Sequence, residues 1–465
     1  MTYHLPSSNP KIDGIETTKD CLTDRAGLIL FVRYLDSIKI MSPLMRWFGP
    51  IRKSRKGIGI MTLLKQLICF FFDGSRFHLT RFDELSLDAG YSAIIEVDKS
   101  DMASSHQVKR FFGAFSYLRL YLFRKCLQTQ FLWRLKTEKP SIIKLDIDTM
   151  VMDNNDAKVR EGVQPTYKKK KGFQPLQMTW DDYVVDAVFR GGSKHSNHSD
   201  TVIKMVKHMV KLIRTKYQDV PIIVTIDSGF FDQENFSEFE KLGIGYICGG
   251  KIYEDIKEFV KNCPDSNWKL YTNGKKEQKW EILPFGDRRG SWNRFRRALY
   301  CSPLADDEQH TLKFDPSETV LYTNLGMGME VDSSLQKAGL KNWFFDETIV
   351  EGYHVRGASE LVNRALKDFG TEKLPFKRFE SNSAFYYFML IAFNLFQSFQ
   401  KDVLLEVIPV KSYATTIRRK LIDIAGKIVK TSRKTILKVT DAVFKRLDFG
   451  KLWERANLVP IVPLE

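Results

Sequence analysis

The sequence predicts an α/β protein whose mixed sheet is flanked by helical regions. Through roughly the first 140 residues, apolar side chains recur at spacings of three and four, which is the period of amphipathic helices. From Ser141 the pattern changes to short alternating segments separated by amphipathic stretches, which indicates strands and helices in turn. Between 250 and 345, short aromatic segments bounded by turn residues indicate a β-rich insertion.

The N-terminal region, residues 1–140, is expected to be a helical domain. Its predicted helices cover residues 26–38, 59–72 and 105–135, the last of them capped by Ser105. Basic residues recur along that last stretch: Lys109, Arg110, Arg119, Arg124 and Lys125. The region therefore suits a module that docks on a polyanion, and a helical support domain explains the pattern equally well.

The expected sheet domain covers residues 141–400. Its first segment, 142–151, alternates as a strand, with Leu145 and Ile147 on one face and Asp146 and Asp148 on the other. Further strands are predicted at 173–180, 183–189, 221–226 and 244–248, and helices at 201–217 and 231–242. The predicted order is three strands, a helix, a strand, a helix and a strand. This is the chain order of the ribonuclease H-like fold, and the assignment to that fold is by analogy.

The insertion at 250–345 interrupts this order, with candidate strands at 268–271, 280–283, 297–301 and 319–323. Helices are expected to resume at 353–369 and 384–399. Residues 401–465 are then expected to form a basic, helical C-terminal region, because residues 411–446 contain eleven Lys and Arg against two Asp.

Composition narrows the class of protein. Lys and Arg outnumber Asp and Glu by 72 to 56, a formal net charge of +16, which favours a polyanionic partner such as DNA. Six cysteines without close spacing fit a reduced, cytoplasmic setting better than a disulfide framework or a zinc knuckle. No apolar run is long enough to span a bilayer and no signal-peptide pattern opens the sequence, so neither a membrane nor a secreted protein is expected.

Two aspartates stand at the ends of predicted strands. Asp148 follows the alternating strand, and Asp227 directly follows the apolar run at 222–226. In open α/β sheets, reactive groups gather at the carboxyl ends of the strands. Carboxylates are also the oxygen ligands that Mg²⁺ prefers. Either aspartate alone is equally well explained as a turn or helix cap, but together they favour a metal site, for which Asp146 competes with Asp148 as the first ligand.

Four polar residues of the predicted helix at 353–369 share one face: Tyr353, Arg356, Glu360 and Lys367. Their spacings of three, four and seven residues place them within a stripe roughly 60° wide. A carboxylate on such a stripe can complete the shell of a metal ion while the cations contact phosphates. The alternative is an exposed face with an Arg356–Glu360 pair, worth only a few tenths of a kcal/mol.

Taken together, these motifs resemble the DDE transposases of bacterial insertion sequences. The stripe matches, residue for residue, the tyrosine–arginine–glutamate–lysine signature of that family. Asp148-Thr149 and Asp227-Ser228-Gly229-Phe230 match its first and second aspartate regions, whereas Met150 stands where many relatives carry a hydroxyl residue. The long segment before Glu360 is similar to that of cut-and-paste members with a β-strand insertion, and the resemblance runs from about residue 20 to about residue 438.

The resemblance implies a metal-dependent transposase whose residues 141–400 are a ribonuclease H-like catalytic domain. The implied catalytic and metal-binding residues are Asp148, Asp227 and Glu360, with Mg²⁺ as the cofactor and Mn²⁺ able to substitute. The implied DNA-binding residues are Tyr353, Arg356, Lys367 and Trp292. The implied partners are double-stranded DNA, both terminal inverted repeats and target DNA, and a second copy of the chain on DNA. A bacterial cytoplasmic location, on nucleoid DNA, goes with these roles.

Two features near the expected site have competing interpretations. Trp292 could stack on an extruded base, as insertion-domain tryptophans do in similar transposases, and such stacking is worth about 1–3 kcal/mol. The alternative is a core tryptophan. The run at residues 168–171, four consecutive lysines, is expected to be a solvated turn, with a phosphate contact as the alternative because the expected site lies nearby.

Two other functions remain as hypotheses. A transposase-derived protein that binds DNA without cutting it would be expected to have lost part of the acidic triad, and all three positions are filled here. A ribonuclease H-like nuclease without strand transfer would not need the insertion or the basic C-terminal region. The sequence therefore favours the transposase.

Overall fold

The computed structural model describes residues 14–51, 57–156, 159–194, 201–273, 278–304, 318–354, 357–409 and 412–458, and also residues 460, 462 and 464. These residues form a mixed α/β structure with one nine-stranded sheet, two small three-stranded sheets and many helices, which confirms the predicted fold class. Among the described helices, none combines the length and the apolar character needed to cross a membrane.

The N-terminal region is helical, as predicted, apart from one short strand. The stretch predicted at 105–135 is two helices separated by a 3₁₀ turn at Tyr117–Arg119, and its N-cap is Ser104, one residue earlier than predicted. The Ser104 hydroxyl accepts from the Gln107 backbone N–H, and the Gln107 side chain accepts in return, which forms a capping box. The elements are β1 (Cys21–Thr23), α1 (Leu28–Ser37), α2 (Met41–Phe48), α3 (Ile60–Asp73), α4 (Arg81–Leu85), α5 (Ala89–Ile94), α6 (Ser105–Gly113) and α7 (Tyr121–Glu138).

The central sheet follows in the predicted order. Its strands are adjacent in the order β7-β6-β2-β8-β9, with β2, β8 and β9 parallel and β6 and β7 antiparallel. This is the strand arrangement expected of a ribonuclease H-like sheet. The elements are β2 (Ile143–Thr149), β3 (Met152–Asp153), β4 (Gln164–Pro165), β5 (Lys171–Phe173), β6 (Leu176–Trp180), β7 (Tyr183–Val188), α8 (Thr201–Arg214), β8 (Ile222–Ile226), α9 (Gln233–Lys241) and β9 (Gly245–Gly249).

The predicted insertion is rich in strands, and it continues the central sheet. Its last strand pairs antiparallel with β9, which gives one nine-stranded sheet in the order β10-β11-β12-β13-β9-β8-β2-β6-β7. Its elements are α10 (Glu254–Lys261), β10 (Lys269–Asn273), β11 (Gln278–Asp287), β12 (Arg296–Pro303), β13 (Thr319–Thr323) and α11 (Glu330–Lys337).

The two faces of the sheet pack against different helices. On one face, Leu145 and Ile147 of β2 share a buried cluster with the apolar side of α8. On the other face, Ile223 of β8 and Ile247 of β9 pack with α11 and with α12 (Asp346–His354). Because successive strand residues point to opposite faces, Asp146 and Asp148 lie on the α12 face.

The C-terminal region contains strands that were not predicted. Residues 426–438 form a β-hairpin, whose β-branched and aliphatic residues favour extended backbone, and the predicted all-helical character is wrong there. Two π-helical turns lie at Gln400–Leu404 and Arg418–Ile422. The elements are α13 (Gly357–Phe369), α14 (Phe379–Phe399), α15 (Ala414–Ile417), β14 (Gly426–Lys430), β15 (Thr435–Lys438), α16 (Asp441–Arg446) and α17 (Phe449–Asn457).

The regions predicted as separate units at 1–140 and 401–465 share one hydrophobic core, here called the helical core. Strand β1 pairs with β14, and α14 packs against α3, α6 and α7. Phenylalanine rings line these contacts: the Phe31 and Phe72 centroids lie 3.7 Å apart, and those of Phe71 and Phe385 lie 5.1 Å apart. The two ends of the described chain therefore complete each other's packing.

One buried arginine connects three parts of this core. The guanidinium of Arg418 donates to the carbonyls of Phe71 at 2.8 Å, Phe72 at 3.0 Å and Phe369 at 2.6 Å. These carbonyls lie in the last turns of α3 and α13, where backbone acceptors lack helical partners. Burial lowers the pKa of Arg418 to about 10, so the side chain remains a cation at neutral pH. Arg418 thereby fixes the end of α13 to the N-terminal helices.

Candidate active site

Asp148 and Asp227 lie side by side where two parallel strands end. Ile147 of β2 is in register with Ile226 of β8, and each aspartate is the next residue along its strand. Neighbouring strands are about 4.8 Å apart, so the two carboxylates leave the sheet as close neighbours. Both residues are half-buried. The edge formed by the carboxyl ends of β2, β8 and β9 is called the carboxyl edge below.

Asp227 also caps a turn. Its Oδ1 accepts a hydrogen bond from the Gly229 backbone N–H at 2.8 Å and caps the 3₁₀ turn Ser228–Phe230. The capping role considered from the sequence is therefore present. A cap occupies part of the bonding capacity of one carboxylate oxygen, so it is compatible with a second partner.

Asp146 lies farther from the carboxyl edge than Asp148. Asp146 is in register with Thr225, in the interior of the sheet, whereas Asp148 lies one step beyond the last pair between β2 and β8. Two residues along a strand correspond to about 6.6 Å. Position therefore favours Asp148 over Asp146 as the partner of Asp227.

Helix α13 brings Glu360 to the same edge. Asn363, three residues after Glu360 and therefore on the same side of the helix, donates from Nδ2 to Asp148 Oδ2 at 3.2 Å. This hydrogen bond joins α13 directly to the end of β2. The Glu360 side chain is exposed in the first turn of α13.

Tyr167 lies within electrostatic range of all three acidic residues. Partial burial, and then the charges of Asp148, Asp227 and Glu360, raise the pKa of Tyr167 above its usual range. The side chain nevertheless remains 61% exposed. Tyr167 is therefore near enough to feel the charge of all three acidic residues, although they come from β2, β8 and α13.

Tyr353 reaches the carboxyl edge from α12. A Cβ placed on Gly249, the last residue of β9, would lie 2.3 Å from the Tyr353 hydroxyl oxygen and 3.2 Å from the Ser228 backbone nitrogen. The hydroxyl therefore occupies space that any side chain at Gly249 would need. Tyr353 is beside the turn that follows Asp227, as expected of a residue at the site.

The rest of the predicted stripe is only partly described. Arg356 lies outside the described residues. Lys367, on α13, forms an ion pair with Glu372, with 2.5 Å between Nζ and Oε1, and its side chain is partly exposed. An exposed pair of this kind is worth at most about 1 kcal/mol, so it can be exchanged for a phosphate at small cost.

Trp292 is a core residue. It is 5% exposed and packs against the rings of Phe231 and Tyr322, with the Arg296 guanidinium 5.0 Å from its ring centroid. This packing matches the second interpretation given from the sequence, in which Trp292 is a core tryptophan. To stack on a base, Trp292 would have to leave this packed position.

Several basic residues that the sequence offers as DNA ligands are used inside the protein. Arg124 makes two hydrogen bonds, at 2.8 and 2.6 Å, to Asp186, whose side chain is fully buried. Arg418 is the buried arginine of the helical core. Lys109, Arg110 and Lys125 are exposed and remain candidates for phosphate contacts.

The donor atoms at the carboxyl edge suit a hard divalent cation. In the described part of the chain, no three His, Cys, Asp or Glu side chains lie close enough together to hold a metal ion. The available oxygens are nevertheless of the right kind, and the buried Oδ1 of Asn363 has no hydrogen-bond partner among the residues that the structure describes. An unsatisfied buried acceptor is costly unless a cation or water takes it. The site therefore fits a cation once the exposed Glu360 carboxylate approaches Asp148 and Asp227.

The sequence interpretation missed two residues of the site. Asn363 could have been found, because it follows Glu360 by three residues on the same helix. Tyr167 could not, because its proximity depends on how the segment between β2 and β6 folds. No spacing in the sequence relates that tyrosine to the carboxylates.

Comparisons with known proteins place the chain in a family. No curated protein matches it. Among solved structures, a piggyBac transposase in a synaptic complex with hairpin DNA aligns with 12% identity and a TM-score of 0.40, over 87% of this chain and 83% of that one. The model of the family described as transposase DDE domain group 1 matches residues 8–459. The match spans nearly the whole sequence, and the chain belongs to this family of DDE-domain transposases.

Proposed function

We propose that this chain is an active, metal-dependent transposase of a bacterial insertion sequence. In this proposal it binds the terminal inverted repeats of its own element, cleaves the DNA there and joins the freed 3′ ends to target DNA. The observation that carries the proposal is the arrangement at the carboxyl edge: Asp148 and Asp227 end adjacent parallel strands, and Asn363 ties the Glu360 helix to Asp148.

Three side chains would hold divalent cations, Mg²⁺ with Mn²⁺ as a substitute: Asp148, Asp227 and Glu360. Such cations, when bound, lower the pKa of a nucleophilic hydroxyl and stabilise the leaving oxygen. Asp148 and Asp227 are fixed by the sheet, whereas Glu360 is in the exposed first turn of α13. We therefore infer that the two aspartates form the permanent part of the site and that Glu360 completes it when DNA is bound.

The DNA strand would be positioned by the residues around the carboxylates. The Tyr353 hydroxyl, beside Gly249, lies where it can meet a strand crossing the carboxyl edge. Lys367 would exchange its ion pair with Glu372 for a phosphate contact, and Arg356 would add a second by its place in the family signature. Two element ends must be paired during transposition, so a dimer on DNA is the proposed working form.

The proposal is tested with a duplex copied from the repeats that flank the gene. Asp148→Ala, Asp227→Ala and Glu360→Ala should each lower the cleavage rate by at least about a hundredfold while leaving DNA affinity nearly unchanged. Asp146→Ala is the matched control and should remain active. A Glu360→Ala protein that cuts at the wild-type rate would contradict the assignment, and an inactive Asp146→Ala with an active Asp148→Ala would reverse the choice between the two aspartates.

Strand transfer needs its own assay, because hydrolysis alone would fit a nuclease. Wild-type protein should join pre-cut ends carrying a free 3′-hydroxyl to a plasmid in the presence of Mg²⁺. If it hydrolyses DNA and never joins pre-cut ends, the chain is a nuclease of this fold. If it binds the repeats and does neither, it is a DNA-binding derivative.

A further inference from the structure

The segment that joins β2 to β6 forms a small arm at the carboxyl edge. It leaves the sheet just after Asp148 and returns at β6, where Leu176 pairs with Thr149 and Gln177 pairs with Asp148. Within it, β3, β5 and β4 form a three-stranded sheet. The arm, defined as β3, β4, β5 and the turn at residues 166–170, is therefore attached at both ends beside the first catalytic aspartate.

The turn of the arm is held in one conformation by its own hydrogen bonds. The Thr166 backbone N–H and hydroxyl both donate to the Lys170 carbonyl, at 2.9 and 2.8 Å, and the Lys169 N–H donates to the Thr166 carbonyl at 2.9 Å. Lys169 takes the left-handed conformation, with φ of 58°, that closes the turn. A turn fixed in this way presents its side chains without first having to be ordered.

The base of the arm is equally constrained. A Cβ on Gly172 would lie 1.9 Å from the Met152 carbonyl oxygen, and one on Gly192 would lie 2.2 Å from that of Gln164. These close backbone contacts leave no room for side chains at either glycine. The arm is thus packed tightly where it meets the body of the protein, and its turn projects from that base.

The side chains of residues 167–170 in the turn are exposed and suit a polyanion. Tyr167 and Lys168 both face solvent, with the Lys168 amine 5.6 Å from the Tyr167 ring centroid. The Lys170 amine is instead paired with Asp153 at 2.9 Å. A hydroxyl donor and a cation therefore stand together on an arm whose two ends are attached beside Asp148, where both can contact the phosphates of a bound strand.

We propose that the arm is a DNA-contacting element of the active site, in which the Tyr167 hydroxyl donates to a phosphate oxygen of the terminal nucleotide and Lys168 contacts the adjacent phosphate. The proposal rests on the function proposed above, because it needs a DNA end at the carboxylates. Tyr167 acts here as a positioning residue for the strand end.

The test removes only the hydroxyl. Tyr167→Phe should slow the joining of pre-cut ends by about tenfold, the effect of removing one hydrogen bond to a charged group, without a change in melting temperature. Tyr121→Phe, at a surface tyrosine on α7, is the matched control and should join ends at the wild-type rate. Lys168→Gln should weaken binding of the same duplex more than Lys170→Gln, because the Lys170 amine is already paired.

A double-mutant cycle identifies the contact itself. An end carrying an uncharged methylphosphonate at the terminal phosphate should join more slowly with wild-type protein, and Tyr167→Phe should slow that end no further. Equal slowing of natural and modified ends by Tyr167→Phe, or no slowing of either, would overturn the arm proposal alone. If wild-type protein fails to join natural pre-cut ends, the proposed function fails first, and the arm proposal fails with it.

Discussion

Charged side chains have opposite environments in the helical core and at the carboxyl edge. In the core, Arg418 is buried and its donors are used by backbone carbonyls, and the carboxylate of Asp186 is buried against Arg124. At the edge, Glu360 and Lys168 are exposed. A basic sequence therefore does not translate directly into a basic binding surface, because part of the charge serves to hold the protein together.

Removing the Arg418 guanidinium from the helical core should affect stability more than any other substitution considered. Arg418→Met should lower the free energy of unfolding by about 2–4 kcal/mol, because it leaves three buried carbonyls without donors. Arg419→Met, at the exposed neighbouring position, is the matched control and should change stability by less than about 0.5 kcal/mol. Urea unfolding followed by circular dichroism measures both. Equal stability of the two variants would contradict the structural role of Arg418.

The second prediction concerns a tight contact at the carboxyl edge. Gly249→Ala should displace the Tyr353 hydroxyl and slow strand joining by up to about a hundredfold, because small displacements near reacting groups are costly. Its stability should fall by about 1 kcal/mol from crowding.

Tyr353→Phe in the same protein removes the atom that the new Cβ meets. The double variant should therefore be more stable than Gly249→Ala alone and stay slow in joining. If it recovers both, Tyr353 only fills space and does not position DNA.

The third prediction asks whether Lys367 contacts a phosphate or serves only as the ion-pair partner of Glu372. Lys367→Ala should weaken binding of the pre-cut end by about tenfold, because it removes a charge-assisted hydrogen bond to a phosphate. Glu372→Ala removes only the partner of Lys367 and should leave binding unchanged or tighter. Anisotropy of a labelled duplex gives both affinities. Equal weakening by the two substitutions would show that the ion pair matters for structure and not for DNA.

The smallest expected effect comes from the exposed lysines of the C-terminal hairpin. Deleting residues 411–465 would remove core residues such as Leu421 and Leu452, so truncation cannot isolate their charge. Substituting Lys430, Lys434 and Lys438 by Gln should instead reduce the salt dependence of DNA affinity, by about 0.9 in the log–log slope for each phosphate that is no longer neutralised. A slope that matches wild type would show that these lysines face solvent in the complex as well.

Local patterns predicted much of the fold and half of the site. The order of strands and helices from β2 to β9 followed from alternation and helical spacing, and the two strand-end aspartates followed from that order. Glu360 came from the family signature. What could not be predicted depends on contacts between distant segments: the pairing of β1 with β14 and the position of Tyr167. Arg418 and Lys168 are both cations, and it is the packing of distant segments that buries one and leaves the other exposed.

The pairing of β1 with β14 also has a consequence for how the protein is made. The two strands stand near opposite ends of the described chain, and the N-terminal helices bury their phenylalanines partly against α14 and the segments after it. The N-terminal helices emerge from the ribosome long before the C-terminal segments are synthesised. Their hydrophobic core therefore stays incomplete during most of translation. Contacts between segments so far apart in sequence also form slowly. The newly made polypeptide should therefore complete its helical core only after β14 and the segments that follow it have emerged from the ribosome.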